Sequence, residues 1–192
     1  MASDYRGNSN YPRGLRNNNP GNISDIKSGW LGQVGSDGRF AIFDSMPWGI
    51  RAFLSNYYSS IEKHNTRTLT SYIHRYAPNF ENDTTKYINT VASYAGIDAN
   101  GPIPTDQATV SKIMRAQFNV ELGKPYADMI TDADIAEGFS LLDSRLKTFF
   151  NSISIFYHTN PVATYGIAAT AALTATLIVI GGIKIIRNIR KK

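Results

Sequence analysis

A run of 22 residues without a charged side chain, Val162 to Ile183, is the strongest constraint on how this chain can fold. A transmembrane helix needs about 20 predominantly apolar residues to cross the hydrocarbon core of a bilayer. Five basic residues follow the run directly: Lys184, Arg187, Arg190, Lys191 and Lys192. A basic cluster is typical of the cytoplasmic end of a membrane span. The pattern therefore predicts one carboxyl-terminal membrane helix over 162–183 with a basic tail over 184–192, the alternative being a buried core helix.

The basic tail also accounts for the net charge of the chain. The sequence has 20 Lys+Arg against 15 Asp+Glu, a formal charge of +5. Because five of the basic residues lie in the tail, residues 1–160 are balanced at 15 against 15. A nucleic-acid-binding domain normally carries a basic surface, so we expect any contact with nucleic acid to involve the tail alone.

Composition also limits the chemistry that is open to the chain. There are no cysteines, which excludes disulfides, thiolate metal sites and cysteine catalysis. The three histidines, His64, His74 and His158, match no zinc-binding spacing. We therefore expect no metal and no cofactor.

The segment from Arg13 to Ile23, RGLRNNNPGNI, is unusually rich in amides. Pro20-Gly21 is typical of a tight turn, because proline fixes φ and glycine permits positive φ. A polar surface turn is the simplest explanation. Four asparagines within six residues exceed what a turn requires, however, and they suit a sugar rich in hydroxyl and acetamido groups. We therefore predict that Asn17, Asn18, Asn19 and Asn22 bind substrate.

The periodicity of the remaining sequence predicts one hairpin and several helices. Residues 30–34 and 39–43 alternate in polarity and are joined by 35–38, a pattern typical of a β-hairpin. Helical spacing and capping residues predict helices over about 45–64 and 68–76, from 82 or 83 to 95, from 105 or 109 to 121, and over 132–150. The sequence therefore predicts an α+β domain that is mainly helical.

Glu121 is the acidic residue whose position on its helix is hardest to explain by stability. It lies about 20° from Val110 on a helical projection, near the middle of an apolar face that also holds Phe118. It also ends its helix, where the negative pole of the helix dipole disfavours a carboxylate. A fraying helix end or a surface ion pair with Lys124 would be the structural explanation. Otherwise Glu121 is a candidate acid catalyst, because an apolar setting raises a carboxyl pKa.

Other residues are weaker candidates. Glu81 lies between aromatic and polar neighbours ahead of a predicted helix, so it is either a second catalytic acid or a capping residue. Asp37 and Asp44 flank the second predicted strand and could act as a base, although most such aspartates form turns. Tyr76 offers an aromatic face to a sugar ring, with a place in the core as the alternative.

These segments together resemble a known family. RGLRNNNPGNI with Trp30-Leu31-Gly32, Gly49-Ile50-Arg51-Ala52 and Ala77-Pro78 resembles phage virion proteins described as peptidoglycan-degrading, lysozyme-like or transglycosylase-like, over about residues 13–125. The order of segments is also similar to that of autolysin-type glucosaminidases, where a helix ending in the catalytic Glu comes first. No Glu precedes the Asn-rich segment here. The resemblance therefore implies a permuted order in which the Glu121 helix supplies the acid.

The resemblance and the membrane segment together imply a virion enzyme, from a tailless phage with an internal membrane. Its parts would be a flexible lead (1–12), a lysozyme-like domain (13–150), a linker (151–161), the membrane helix and the tail. It would cleave peptidoglycan glycan strands during entry, as a lytic transglycosylase or a glycosidase. The expected partners are peptidoglycan, a lipid bilayer and capsid proteins. The alternatives are a non-catalytic virion protein that binds peptidoglycan or tethers membrane to capsid, and a holin.

Overall fold

A computed structural model of the chain describes residues 2–78, 83–144, 146 and 148. The chain divides into two units, Met1–Ser154 and Ile155–Lys192, and every described residue belongs to the first. Glu81, the predicted linker, the predicted membrane helix over 162–183 and the basic tail lie outside the described residues. Within the described ranges, no helix combines the length and the apolar character that a membrane crossing requires.

The described part of the chain is mainly helical with one small hairpin, which confirms the predicted α+β class. Its elements are α1 (Arg13–Arg16), β1 (Gln33–Ser36), β2 (Ala41–Phe43), α2 (Met46–His64), α3 (Leu69–Tyr76), α4 (Thr84–Ala95), α5 (Gln107–Leu122), α6 (Lys124–Ala127) and α7 (Asp132–Ser140). Helix α2 packs against α7, and α4 packs against both α3 and α5.

Local capping explains where several helices begin and end. Thr68 and Ser71 form a reciprocal capping box at the start of α3, and Asp83 and Asp106 accept backbone N–H bonds at the starts of α4 and α5. These contacts satisfy amide groups that would otherwise lack a helical partner. Gly96 ends α4 with a φ of 69°, in the left-handed region that glycine adopts readily. The predicted bounds of these three helices are confirmed to within about two residues.

The hairpin pairs β1 with β2 in an antiparallel sheet, with Gln33 opposite Phe43 and Ser36 opposite Ala41. Its turn lies closer to the carboxyl end than the predicted 35–38 connection. Asp37 fixes this position, because its carboxylate accepts the backbone N–H groups of Arg39 (3.1 Å) and Phe40 (2.9 Å). These two hydrogen bonds to one side chain therefore determine the position of the turn more strongly than Gly35 and Gly38 do.

The core forms around the helix faces that periodicity predicted. Five residues of α2 are essentially inaccessible to solvent: Ile50, Phe53, Leu54, Tyr57 and Ile61. Val110, Ile113, Met114 and Phe118 of α5 are also buried. The rings of Phe53 and Phe118 meet edge to face at 5.2 Å between centroids, an arrangement that aromatic pairs favour. These two helices therefore share one apolar core.

Two segments differ from expectation. Helix α7 ends at Ser140 and does not run on without a break to Phe150. Asp143 gives the physical reason, because its carboxylate accepts the Leu146 backbone N–H at 2.9 Å and so caps a new helical turn. The amino-terminal segment, expected to be a flexible lead, is bonded to the domain: Ser3 donates to the Asp134 carboxylate through its N–H (2.9 Å) and its hydroxyl (2.8 Å).

Gly49, in the first turn of α2, is the point where the Asn-rich loop contacts this helix. A Cβ atom there would lie 1.8 Å from the carbonyl oxygen of Asn18, whereas a Cβ at Gly35 would make only ordinary contacts with Ile42 at 3.7 Å or more. We expect Gly49→Ala to lower the free energy of unfolding by about 3 kcal/mol, the upper range for overpacking. Gly35→Ala is the matched control. Urea denaturation of the full-length chain measures both, and equal midpoints would contradict the close approach.

Candidate functional site

Two asparagines of the Asn-rich loop are structural. Asn18 and Asn19 are fully buried. The Asn19 amide donates to the carbonyls of Ile23 and Ala41, both at 2.8 Å, and accepts the Ile23 N–H at 2.7 Å. The Asn18 amide donates to the Asp4 carboxylate and the Phe43 carbonyl and accepts the Tyr5 N–H. These side chains therefore tie the loop to β2 and to the amino-terminal segment, and they offer no amide to a ligand.

Asn17 is also buried and donates to the Asp37 carboxylate at 2.6 Å. Arg13 bonds both oxygens of the same carboxylate, at 2.6 and 2.7 Å. The bond from Arg13 holds the pKa of Asp37 well below its ordinary value. Asp37 is thus an ionised turn residue, and Asp44 lies 3.2 Å from Arg6 in an exposed ion pair. Neither aspartate lines the cleft described next, so neither is in position to act as a base there.

A cleft of about 680 Å³ runs between the hairpin side of the molecule and helices α2 and α3. Its lining consists of Gly21, Asn22, Ile23, Ser24, Ile26, Trp30, Arg39, Phe40, Asn56, Ser60, Tyr72, Arg75, Tyr76, Ala77 and Glu121. Enzyme and ligand sites are typically concave, with apolar walls and a few convergent polar groups. The cleft brings together three of the sequence-predicted site residues, Asn22, Tyr76 and Glu121.

Glu121 lies in the last turn of α5, half-buried, with both carboxylate oxygens bonded. The Asn22 amide donates to one oxygen at 2.8 Å, and the Tyr87 hydroxyl donates to the other at 2.9 Å. Burial raises the pKa of Glu121 above its ordinary value of 4.5, and the two hydrogen bonds oppose that shift. An acid that is partly desolvated and held in one orientation is the arrangement that general acid catalysis requires.

Neither structural explanation accounts for the position of Glu121. Helix α5 continues to Leu122, so it does not fray before Glu121. Lys124 pairs with Asp128 at 2.8 Å and not with Glu121. The helix-face prediction that Glu121 points inward is therefore correct.

Tyr76 connects the Asn-rich loop to the cleft wall. Its hydroxyl donates to the carbonyl of Gly21, and its ring meets Phe53 edge to face at 5.9 Å. A Cβ at Gly21 would lie 2.5 Å from the Phe53 ring, so only glycine fits this turn. The next residue, Asn22, has a φ of 47°, which asparagine tolerates better than most residues. Tyr76 and Phe53 thus position the loop so that Asn22 reaches Glu121.

Sequence reasoning missed several residues in or beside the cleft. Tyr87 is 4% exposed, as a core residue would be, but its hydroxyl bonds Glu121. Asn56 and Ser60 lie four residues apart on α2 and both line the cleft, so polar residues at helical spacing were the available signal. Ser60 is 2% exposed, and within the described ranges its hydroxyl has no hydrogen-bond partner. Arg39 and Arg75 gave no sequence signal.

The raised pKa of Glu121 predicts a pH-dependent effect on stability. Because the folded state binds this proton more tightly than the unfolded chain, the resulting stabilisation is full below the ordinary pKa of 4.5 and is lost as pH rises through the raised pKa. The melting temperature of Glu121→Gln relative to wild type should therefore increase from about pH 4 to about pH 8. Circular dichroism measures this, with Glu137→Gln, an exposed glutamate on α7, as the control. A constant difference would contradict the desolvation of Glu121.

The two roles found in the Asn-rich loop predict different stability effects. Asn19→Ala removes three buried hydrogen bonds and should cost about 2–4 kcal/mol of unfolding free energy. Asn22→Gly retains the positive φ and should cost less than about 1 kcal/mol. Urea denaturation followed by tryptophan fluorescence compares them. Similar losses for both variants would show that Asn22 is as structural as Asn19.

Comparison with known proteins gives the relationship of the chain. No family model matches it. Over 133 residues it is 35% identical to Protein P5 of Pseudoalteromonas phage PM2. The aligned region covers 66% of this chain and 79% of that protein. The match supports the prediction of a phage virion protein, and the name of that relative specifies no activity. The extent and identity of the alignment show that the chain belongs to the family of Protein P5 of phage PM2.

Proposed function

We propose that this chain is a lysozyme-like virion enzyme that cleaves the glycan strands of bacterial peptidoglycan during phage entry, as a lytic transglycosylase. The observation that carries the proposal is Glu121, a half-buried carboxyl group with a raised pKa in the wall of a cleft about 680 Å³ in volume. A cleft of this size accommodates sugar rings, and Trp30, Phe40 and Tyr76 add aromatic surface to its lining.

In the proposed mechanism, protonated Glu121 donates its proton to the glycosidic oxygen. The bond between that oxygen and the anomeric carbon breaks, and positive charge develops on the ring. The Glu121 carboxylate then accepts the proton of the 6-hydroxyl of the same sugar, whose oxygen bonds to the anomeric carbon. The products are a 1,6-anhydro end and a new free hydroxyl, and Glu121 returns to its protonated form.

Asn22 and Tyr87 would serve different stages of this cycle. While Glu121 is protonated, they orient it through the two oxygens that they contact. Once Glu121 has given up its proton, both N–H and O–H donors stabilise the resulting carboxylate, since hydrogen bonds to ionised groups are stronger than those to neutral ones. The Gln117 amide lies 3.4 Å from the Tyr87 hydroxyl and donates to it, which helps to orient that hydroxyl.

The carboxylate count of the cleft favours the anhydro-forming route. Most glycoside hydrolases use two carboxyl groups about 5–9.5 Å apart, the second acting as nucleophile or activating water. Among the described residues that line this cleft, Glu121 is the one carboxyl group. An internal hydroxyl nucleophile does not require a second one. Glu81, outside the described residues, stays a prediction as a second acid.

The membrane segment extends the proposal to location. A helix over 162–183 would hold the domain on a virion membrane as a single-pass anchor, with the basic tail on the cytoplasmic or genome-facing side. The lipid bilayer would then be one partner and peptidoglycan the other, with capsid proteins as further candidates. Contact with nucleic acid would be limited to the tail.

The mechanism predicts that Glu121→Gln reduces peptidoglycan cleavage by at least about 100-fold, the low end for loss of a general acid. Glu137→Gln, exposed and outside the cleft, is the matched control and should retain wild-type cleavage. Clearing of purified sacculi by the full-length chain in detergent measures the rate, and mass spectrometry should detect anhydro-muramyl ends.

Each contrary result has a distinct meaning. Equal clearing by Glu121→Gln would contradict the role of Glu121. Reducing ends in place of anhydro ends would show hydrolysis by water. No clearing by the wild-type chain would favour the alternative, a non-catalytic virion protein that binds peptidoglycan or tethers membrane to capsid.

A further inference from the structure

The two sides of the cleft differ in how their polar groups are bonded. On the hairpin side, the Asn22 amide donates to Glu121, and the Gly21 carbonyl accepts from Tyr76. These groups already have partners within the protein. Among the described residues, several polar side chains of α2 and α3 line the cleft without such partners. The side formed by these two helices therefore has hydrogen-bonding groups available to a ligand.

Two of the available groups are hydroxyls that are almost wholly buried. Ser60 of α2 is 2% exposed, Tyr72 of α3 is 1% exposed, and both residues line the cleft. Within the described ranges, the Ser60 hydroxyl has no hydrogen-bond partner. A buried hydroxyl without a partner lowers stability, and most buried polar groups in proteins are paired. Departures from that rule are expected at functional sites, where a ligand completes the pairing.

The Tyr72 hydroxyl has a hydrogen that no described residue accepts. Burial raises the pKa of Tyr72, and the Gln117 amide, acting as a donor, opposes that rise. A donor on the phenolic oxygen does not accept the hydrogen of the hydroxyl. The adjacent Tyr57 differs, because its ring lies 4.7 Å from that of Tyr72 but its hydroxyl donates to the Pro104 carbonyl at 2.7 Å. Tyr72 can therefore donate to a ligand without breaking a bond to the protein.

Asn56 extends this side of the cleft along α2. It lies one helical turn before Ser60, so the two side chains share a helix face. Its side chain is half-buried, lines the cleft and forms no hydrogen bond within the described part of the chain. An amide offers two N–H donors and an oxygen acceptor. Asn56, Ser60 and Tyr72, here called the helical wall, thus combine donors and acceptors without a charge.

Uncharged groups of this kind suit a saccharide. Sugar hydroxyl and acetamido groups both donate and accept hydrogen bonds, and an acetamido group can form two reciprocal bonds with the Asn56 amide. The Ser60 hydroxyl turns toward a ligand by rotation about χ1 between staggered positions. A few polar groups that fix the orientation of a ligand are typical of binding clefts.

We propose that Asn56, Ser60 and Tyr72 bind the neutral hydroxyl and acetamido groups of a saccharide strand in the cleft. The helical wall would then supply the contacts that the sequence assigned to Asn18 and Asn19, whose amides are bonded to the protein. This inference rests on the proposed function for the identity of the polymer.

Binding can be measured apart from cleavage. The full-length Glu121→Gln chain, in a detergent without a sugar headgroup, is titrated calorimetrically with neutral oligomers of N-acetylglucosamine. In this background, Asn56→Ala, Ser60→Ala and Tyr72→Phe should each weaken binding by about threefold or more, because each removes a hydrogen bond to the ligand. Ser60→Ala combined with Tyr72→Phe should weaken it by about tenfold or more.

Each hydroxyl of the helical wall has a matched control. Ser55 is buried on α2, and its hydroxyl also lacks a partner within the described ranges, but it is outside the cleft lining. Ser55→Ala should therefore leave the affinity unchanged. Tyr57→Phe removes a hydroxyl that is bonded to Pro104 and is also outside the lining. It should lower the melting temperature by about 2–4 °C and leave the affinity unchanged.

Melting temperatures separate a binding role from a structural one. Ser60→Ala and Tyr72→Phe remove hydroxyls that the fold leaves unpaired, so they should leave the melting temperature unchanged or raise it. Circular dichroism of the same chains measures this. A decrease as large as that of Tyr57→Phe would show that the hydroxyls are paired within the folded chain, and it would overturn the inference.

The binding outcomes distinguish this inference from the proposed function. Unchanged affinity in the three wall variants, an equal loss in Ser55→Ala, or no binding by the parent chain would overturn the inference. A loss confined to the wall variants, with a wild-type chain that does not clear sacculi, would support a saccharide-binding virion protein and contradict the enzyme. Clearing of sacculi by the wild type, without loss of affinity in the wall variants, would support the enzyme and remove the role of the helical wall.

Discussion

The buried amides of Asn18 and Asn19 are the interactions on which the cleft depends. They bond the carbonyls of Phe43, Ile23 and Ala41 and so join the loop after α1 to strand β2. Such groups are costly to bury unless they are paired, and here each amide is paired on both its donor and its acceptor side. The loop can therefore approach α2 closely at Gly49 and hold Asn22 beside Glu121. Without this pairing, the hairpin side of the cleft would have no fixed position relative to the helices.

Two opposing effects set the pKa of the Glu121 carboxyl group. Burial favours the neutral acid, whereas the Asn22 and Tyr87 donors favour the carboxylate. Burial is the larger effect, so the pKa rises, but the donors limit the rise and fix the orientation of the group. A group that must both give and accept a proton benefits from such a balance, because neither form is strongly disfavoured. The same arrangement is compatible with the single-carboxylate mechanism proposed for glycan cleavage.

Much of the helical fold was predictable because it depends on local signals. Thr68, Asp83 and Gly96 mark helix ends through contacts within a few residues. The inward placement of Glu121 also followed from periodicity, since Val110 and Phe118 share its helix face. The hairpin turn lies further along the chain than predicted, because the Asp37 carboxylate bonds two backbone amides. Strand periodicity contains no information about such side-chain bonds. The break after Ser140 was missed for a similar reason, since the Asp143 cap interrupts an apolar pattern that otherwise continues.

By itself, the sequence determined the α+β class, the main helices and the candidate acid, because periodicity and capping are properties of neighbouring residues. It also showed that the Asn-rich loop has more asparagines than a turn requires, but it did not show the role of each one. Only the tertiary structure decided that Asn18 and Asn19 are structural while Asn22 faces Glu121, because an amide's role depends on partners far away in the chain. The same holds for Tyr87, which is unremarkable in sequence. Its hydroxyl bonds Glu121 only because folding brings together two residues that lie 34 positions apart in the chain.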